Sequence, residues 1–203
     1  MWLLIMLIVS FLLALFLLNF YRNPERKIPK GGNIIVSPAD GRVISIISTK
    51  SSRVRISKGF LGKIKTLADD VSSQCYVISI FMSPLDVHYN RSPIGGIVKS
   101  IRHTKGKFFE AYNLEKSLQN EKNEIIIQNK DIKVKVIQIA GFLARRIRCF
   151  VHENQKINKG EKIGMISLGS QTTIVLPSGV DLKVKLNDKV KAGSSIIAVL
   201  KAK

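Results

Sequence analysis

The chain has 203 residues, 33 Lys and Arg against 14 Asp and Glu, and a formal net charge of +19. Its 45% hydrophobic content excludes a disordered chain, and two cysteines, Cys75 and Cys149, are too few for a disulfide scaffold. His88, His103 and His152 are scattered without metal-ligand spacing, so no metal site is expected. The cationic excess calls for an anionic partner and says nothing of the fold.

Residues 1–18, MWLLIMLIVSFLLALFLL, carry no charge and one polar side chain, Ser10. As a helix they reach about 27 Å, enough to cross a hydrocarbon core. A cleaved signal peptide needs a basic start and a small-residue cleavage site, and neither is present. Phe20 and Tyr21 follow, then Arg22, Arg26, Lys27 and Lys30, the pattern of a membrane–water boundary with its folded part on the cytoplasmic side. The expected organisation is an anchor at 1–18, a basic juxtamembrane linker at 19–30, and a body at 31–203. A folded domain held beside a bilayer makes acidic lipid a better partner than nucleic acid. Residues 48–66 add six cations and no acid around Phe60 and Leu61. They read either as a solvated basic loop or as a loop dipping those two side chains into the interface.

Beyond the linker, short apolar runs and period-2 patterns dominate. Strands are predicted at 33–36, 42–48, 74–82, 96–101, 124–129, 132–140, 146–151, 162–166, 171–176, 181–184 and 195–200. Partial helix is predicted at 107–119 and a short turn at 141–146. Two repeats appear. SPADGRVISI (37–46) matches SPIGGIVKSI (92–101), and HENQKINKGEKIGMI (152–166) matches VKLNDKVKAGSSIIAV (184–199). The predicted fold is mainly β, a β-rich α+β body in which two repeated lipoyl-like β-halves form a barrel or sandwich behind one N-terminal membrane helix.

Chemistry-bearing residues are few. Gly169-Ser170 lies between two strand patterns, where a turn is the plain reading. A Ser hydroxyl can also attack its own preceding carbonyl, and Gly leaves that carbonyl unshielded. His88, in FMSPLDVHYNRSP (81–93), is a candidate base, with Asp86 two residues away. Asp40, in SPADGRV (37–43), is a turn aspartate or an orienting acid. Spacing alone does not bring Asp40, His88 and Ser170 together.

Five ordered segments do. SPADGRV (37–43), FMSPLDVHYNRSP (81–93), KGKFFEAYNLEKSLQNEKN (105–123), QIAGFLARRI (138–147) and LGSQTTIVLP (168–177) resemble the phosphatidylserine decarboxylase family in its short, membrane-anchored prokaryotic form. The resemblance implies a proenzyme that cuts itself between Gly169 and Ser170. Asp40 would orient His88, and His88 would deprotonate Ser170. The products would be 1–169 and 170–203, held together as a heterodimer, with Ser170 converted to a pyruvoyl group and no metal required. That carbonyl takes the amine of phosphatidylserine and receives the electrons that CO2 leaves behind, giving phosphatidylethanolamine. The resemblance places the enzyme at the cell inner (cytoplasmic) membrane, acting on an anionic phospholipid, and leaves a homodimer open.

Two departures stand out. Gln171 follows the serine where long forms commonly have Thr, and Arg91 stands where they carry a second histidine. Arg91, Arg145 and Arg146 are candidate substrate-binding cations. The competing reading is a non-catalytic, membrane-tethered lipoyl-like adaptor. It gives no reason for Asp40, His88 and Gly169-Ser170 to occur in this order. Nucleic-acid binding is disfavoured because aromatics are not interleaved with the basic runs.

Overall fold

The computed structural model describes residues 1–49, 68–106, 117, 119–141, 146–167 and 170–201. The expectations for the 48–66 loop beyond Thr49, for the turn at 142–145, for nearly all of 107–119, and for Gly169 and Arg145 lie outside the described residues.

Helix α1 spans Trp2–Phe20, 19 residues long. By length and composition it is able to cross a membrane, and its side chains are almost all exposed to whatever surrounds it. Leu, Ile and Phe on every face leave no polar stripe, as lipid on all sides demands. Its end departs from the boundary-belt reading. Tyr21 is exposed, but Phe20 is buried at 2%.

Fourteen strands follow among the described residues, and their pairings are antiparallel. They are β1 (Ile34–Val36), β2 (Gly41–Ser48), β3 (Cys75–Met82), β4 (Tyr89–Arg91), β5 (Gly96–Thr104), β6 (Lys122–Gln128) and β7 (Lys133–Ile139). Then come β8 (Ile147–Cys149), β9 (Lys156–Ile157), β10 (Lys162–Ile166), β11 (Ser170–Pro177), β12 (Val180–Leu182), β13 (Lys189–Val190) and β14 (Ile196–Leu200). The large sheet has the order β13-β2-β3-β11-β7-β6-β5-β9, and two small sheets have the orders β1-β14-β12 and β4-β10-β8.

That order is a palindrome, and it is the sequence repeat made visible. One half uses β1, β2, β3, β11, β12, β13 and β14. The other uses β4 to β10 and is inserted between β3 and β11. The two meet at the β11–β7 seam. Equivalent residues do equivalent things. Ser37 Oγ donates to Ala39 O at 2.7 Å and Ser92 Oγ to Ile94 O at 2.6 Å. Bulges fall at Val43/Ser45 and at Val98/Ser100. Gly193 N–H donates to Ser37 O and Gly160 N–H to Ser92 O, both at 2.8 Å. Both glycines have positive φ, 75° and 81°, which a side chain would strain. The halves also clasp each other: Val36 N–H bonds Pro93 O at 3.0 Å and Arg91 N–H bonds Pro38 O at 2.9 Å.

The main core gathers Ile35, Ile78, Ile80, Val98, Ile125 and Ile174 among others. A second cluster, with Ala68, Cys75, Val77 and Val175, covers part of the large sheet's other face. Lys135 on that face is wholly buried. Its ammonium meets Asp70 at 2.6 Å and Glu124 at 3.2 Å, the pairing a buried charge requires.

Candidate active site

The repeat breaks symmetry at two of the candidate residues. Three positions after Ser37 stands Asp40; three after Ser92 stands Gly95. Four positions before Ser92 stands His88; four before Ser37 stands Asn33. The two halves therefore differ at the positions of Asp40 and His88.

Ser170 opens β11, opposite Met82 of β3, and is wholly buried. Among the described residues its hydroxyl donates only to the Met82 thioether, at 3.5 Å. Sulfur is a weak acceptor, so this oxygen is lightly held. His88 precedes β4 and is also wholly buried. Its Nδ1 lies 2.9 Å from the Asp86 carbonyl, which only accepts, so Nδ1 carries the proton and Nε2 the lone pair. Nε2 is buried and has no hydrogen-bond partner among the described residues. The His88 carbonyl accepts from Ile166 N–H at 3.3 Å, and Ile166 is four residues before Ser170. That length of chain spans at most about 14 Å, so fold and sequence hold the two residues in one neighbourhood.

A buried polar chain tightens it. Asn90 Nδ2 donates to Thr172 Oγ1 at 3.0 Å, Gln138 Nε2 to Asn90 Oδ1 at 2.8 Å, and Asn123 Nδ2 to Gln138 Oε1 at 3.0 Å. Asn90 is two residues past His88, and Thr172 two past Ser170. Sequence reading missed this chain because amides in strand patterns usually face solvent. Gly164 belongs to it by absence: a Cβ there would sit 2.5 Å from Gln138 Nε2.

Asp40 is nearly buried, at 8%. Resemblance pairs it with His88, but the structure pairs it otherwise. Arg26 Nη2 contacts both carboxylate oxygens, at 3.0 and 2.8 Å, and Ala192 N–H donates to Oδ1 at 2.8 Å. The Asp86 carbonyl holds the His88 ring instead. Arg26 gave only a weak sequence signal, being one juxtamembrane cation among several.

The candidate arginines also separate. Arg91 donates to Gly160 O at 2.9 Å, Asn23 Oδ1 at 2.7 Å and Pro24 O at 3.4 Å, so its guanidinium pins the linker. Burial, and then Arg26 nearby, lower its pKa. Arg146 is exposed, and its carbonyl accepts from Ser167 N–H at 3.2 Å. A cleft of about 470 Å³ opens beside Asp40, lined by Arg22, Arg42, Lys189 and Lys191 together with Asp86. These cations were not singled out by motif, since they come from three distant segments.

Burial lowers the His88 pKa from 6.5 to about 4, opposed by the Asp86 carbonyl and carboxylate and aided by Arg22. The ring is thus neutral at pH 7. The unfolded chain takes up this proton below pH 6.5, and the folded chain only near pH 4. Stability from the neutral ring is full above pH 6.5 and falls through that window, by about 3 kcal/mol in all. Melting curves from pH 7 to pH 4.5 check this: the native chain loses stability more steeply than His88→Gln.

An apolar helix long enough to cross a membrane, and a duplicated β-body that buries a serine and an imidazole on segments linked through Asn90 and Thr172, fit an enzyme that works at a membrane. The family model for phosphatidylserine decarboxylase matches residues 13–198. A Methanocaldococcus jannaschii protein named "Putative archaetidylserine decarboxylase proenzyme" is 46% identical over 187 residues, covering 92% of this chain and 91% of that one. Phosphatidylserine decarboxylase proenzymes of Syntrophus aciditrophicus and Chlorobium phaeobacteroides are 42% and 40% identical over 184 and 183 residues, each covering 90% of this chain and 78% of theirs. The chain belongs to the phosphatidylserine decarboxylase family and is an enzyme of the decarboxylase class.

Proposed function

We propose that the chain is a self-processing, pyruvoyl-dependent decarboxylase of phosphatidylserine, anchored by α1 with its body on the cytoplasmic side. The observation that carries this is two buried groups on linked segments: among the described residues the serine hydroxyl donates only to a thioether, and the imidazole Nε2 bears a lone pair with no hydrogen-bond partner.

His88 accepts the Ser170 Oγ proton, and the oxygen attacks the Gly169 carbonyl carbon. The peptide C–N bond breaks as the ester C–O bond forms, and the amine of Ser170 takes up a proton. Loss of the Ser170 α-proton then expels residues 1–169 as a carboxylate. Water replaces the remaining nitrogen, which leaves as ammonia, and a keto group stays at the head of 170–203. Ser170 suits this product, since it is buried, at a strand's first position, and without a strong side-chain hydrogen bond among the described residues. When present, a pyruvoyl carbonyl binds a substrate amine and accepts the electrons released with CO2. His88 is placed to return a proton to the substrate carbon.

The small fragment has 203 − 169 = 34 residues, too few to bury a core alone. Its pairings favour retention as a heterodimer, with β11 between β3 and β7, β14 between β1 and β12, and β13 on β2. The basic cleft beside Asp40 gives an anionic headgroup a place to dock. Arg91 and Arg146 are weaker candidates, the first pinned and the second on the surface.

The relative at 46% identity bears a name for a different serine-headed lipid, so the headgroup is the firmer part of the substrate assignment. The assay offers vesicles of phosphatidylserine and of archaetidylserine to the full-length protein and follows CO2 and the amine-headed lipid product. Turnover of either serine lipid, absent in Ser170→Ala, is the expected result. Binding of these vesicles by the folded, uncut chain without CO2 release would favour the adaptor.

A further inference from the structure

The segment leaving α1 is stitched to the site along its length. Phe20 lays its ring on His88, centroids 4.3 Å apart, and is 2% exposed. Arg22 donates to Leu85 O at 2.8 Å. Arg91 holds Asn23 and Pro24, and Arg26 grips both oxygens of Asp40. Ile28 fills the space over Gly160 and Gly193, where a Cβ on Gly160 would collide with it. Lys159 reaches Gly31 O at 2.6 Å. A passive tether is ordinarily polar, exposed and in few contacts. This one closes over His88 and Asp40.

We propose that residues 20–28 are a working wall of the active site, in which Phe20 and Arg26 are positioning residues: Phe20 shuts water away from His88, and Arg26 fixes the Asp40 carboxylate. The inference rests on His88 being the base of the self-cleavage. Its consequence is spatial. The anchor helix ends on the reactive imidazole, so the chemistry sits where the helix leaves the bilayer. A lipid headgroup then reaches the site without its tails leaving the membrane. The repeat supports a dedicated role. Gly95 stands where the other half has Asp40, and among the described residues only Asp40 takes a strap arginine on its carboxylate.

The charged groups bearing on His88 are Asp86 and Arg22. Removing the Phe20 ring admits water to Nε2 and lets the imidazole titrate nearer its ordinary pKa. The full-length chain, synthesised cell-free into phosphatidylserine-containing vesicles and pulse-labelled, is shifted to buffers between pH 3 and 8 and followed on gels for self-cleavage. Phe20→Ala should raise the pH of half-maximal rate by one unit or more, and Phe20→Leu should restore most of the native profile. Arg26→Gln should slow cleavage at least tenfold, with partial recovery in Arg26→Lys. Melting of the same variants carrying Ser170→Ala reports folding separately.

Native rates and an unmoved pH midpoint in Phe20→Ala and Arg26→Gln overturn the proposal. So does a loss of rate that only tracks a loss of melting temperature with the midpoint unmoved. His88→Gln, run alongside, separates the two layers. If it cuts at the native rate, the base assignment fails. If it stalls while both strap variants behave as native, the strap inference alone fails.

Discussion

His88→Gln is expected to slow self-cleavage by a factor of about 10² to 10⁴, so that the uncut chain accumulates. Glutamine keeps a polar side chain of similar reach but offers no basic nitrogen. Gross unfolding is not expected, because the bond between Ile166 N–H and the backbone carbonyl of residue 88 survives the change. The native rate should be flat from pH 6 to 8, since burial keeps the imidazole neutral down to about pH 4. A pulse-chase gel across that range measures both features. A native rate in the variant would remove His88 from the chemistry and leave it a buried structural ring.

Gly41→Ala should be nearly as damaging, though the residue touches no substrate. Gly41 has a φ of 140°, which a side chain strains, and a Cβ there would collide with the Phe81 carbonyl oxygen. Relief requires moving backbone, and the residue before it is Asp40. About 3 kcal/mol or more of stability should be lost, together with the grip of Arg26 and Ala192 on the carboxylate. Chemical denaturation of the Ser170→Ala and Gly41→Ala/Ser170→Ala chains measures the first effect, and cleavage of Gly41→Ala alone measures the second. By contrast, Gly95→Ala, at the position matching Asp40 in the other half, meets Lys159 N at an ordinary 3.6 Å and should be tolerated.

Much of this architecture is legible in the sequence because duplication makes it so. The paired SPADGRV and SPIGGIV segments reveal two halves, and the structure turns them into matching serine bonds, bulges and glycine turns. The long apolar helix α1 is legible from composition alone. Strands β4, β9 and β13 were not predicted, because two or three residues are too few to show a period. The insertion of one half between β3 and β11 escaped too, since a single sequence carries no record of which strands pair across 90 residues or more.

At the site, residue types were readable and their partners were not. His88 and Ser170 draw attention as a base and a nucleophile; that Asp86 lends its carbonyl and Met82 its sulfur depends on fold. Asp40 shows the limit best. Its identity was legible, but its partner, Arg26, lies in what reads as a solvated basic linker. Burial of the Lys135 charge was not legible for a related reason: the Asp70 and Glu124 carboxylates that make it tolerable are distant in the chain. Phe20 looked like a lipid-boundary aromatic because the ring it covers is 68 residues away along the chain.

The central claim is that this chain converts its own Ser170 into the reactive group. Intact mass of the purified full-length protein, beside Ser170→Ala, tests it most directly. The expected result is two species in the native sample, residues 1–169 and the 34 residues from 170 to 203 with a blocked N-terminus, against one uncut chain in the variant. A single 22.7 kDa chain from folded native protein would contradict the account.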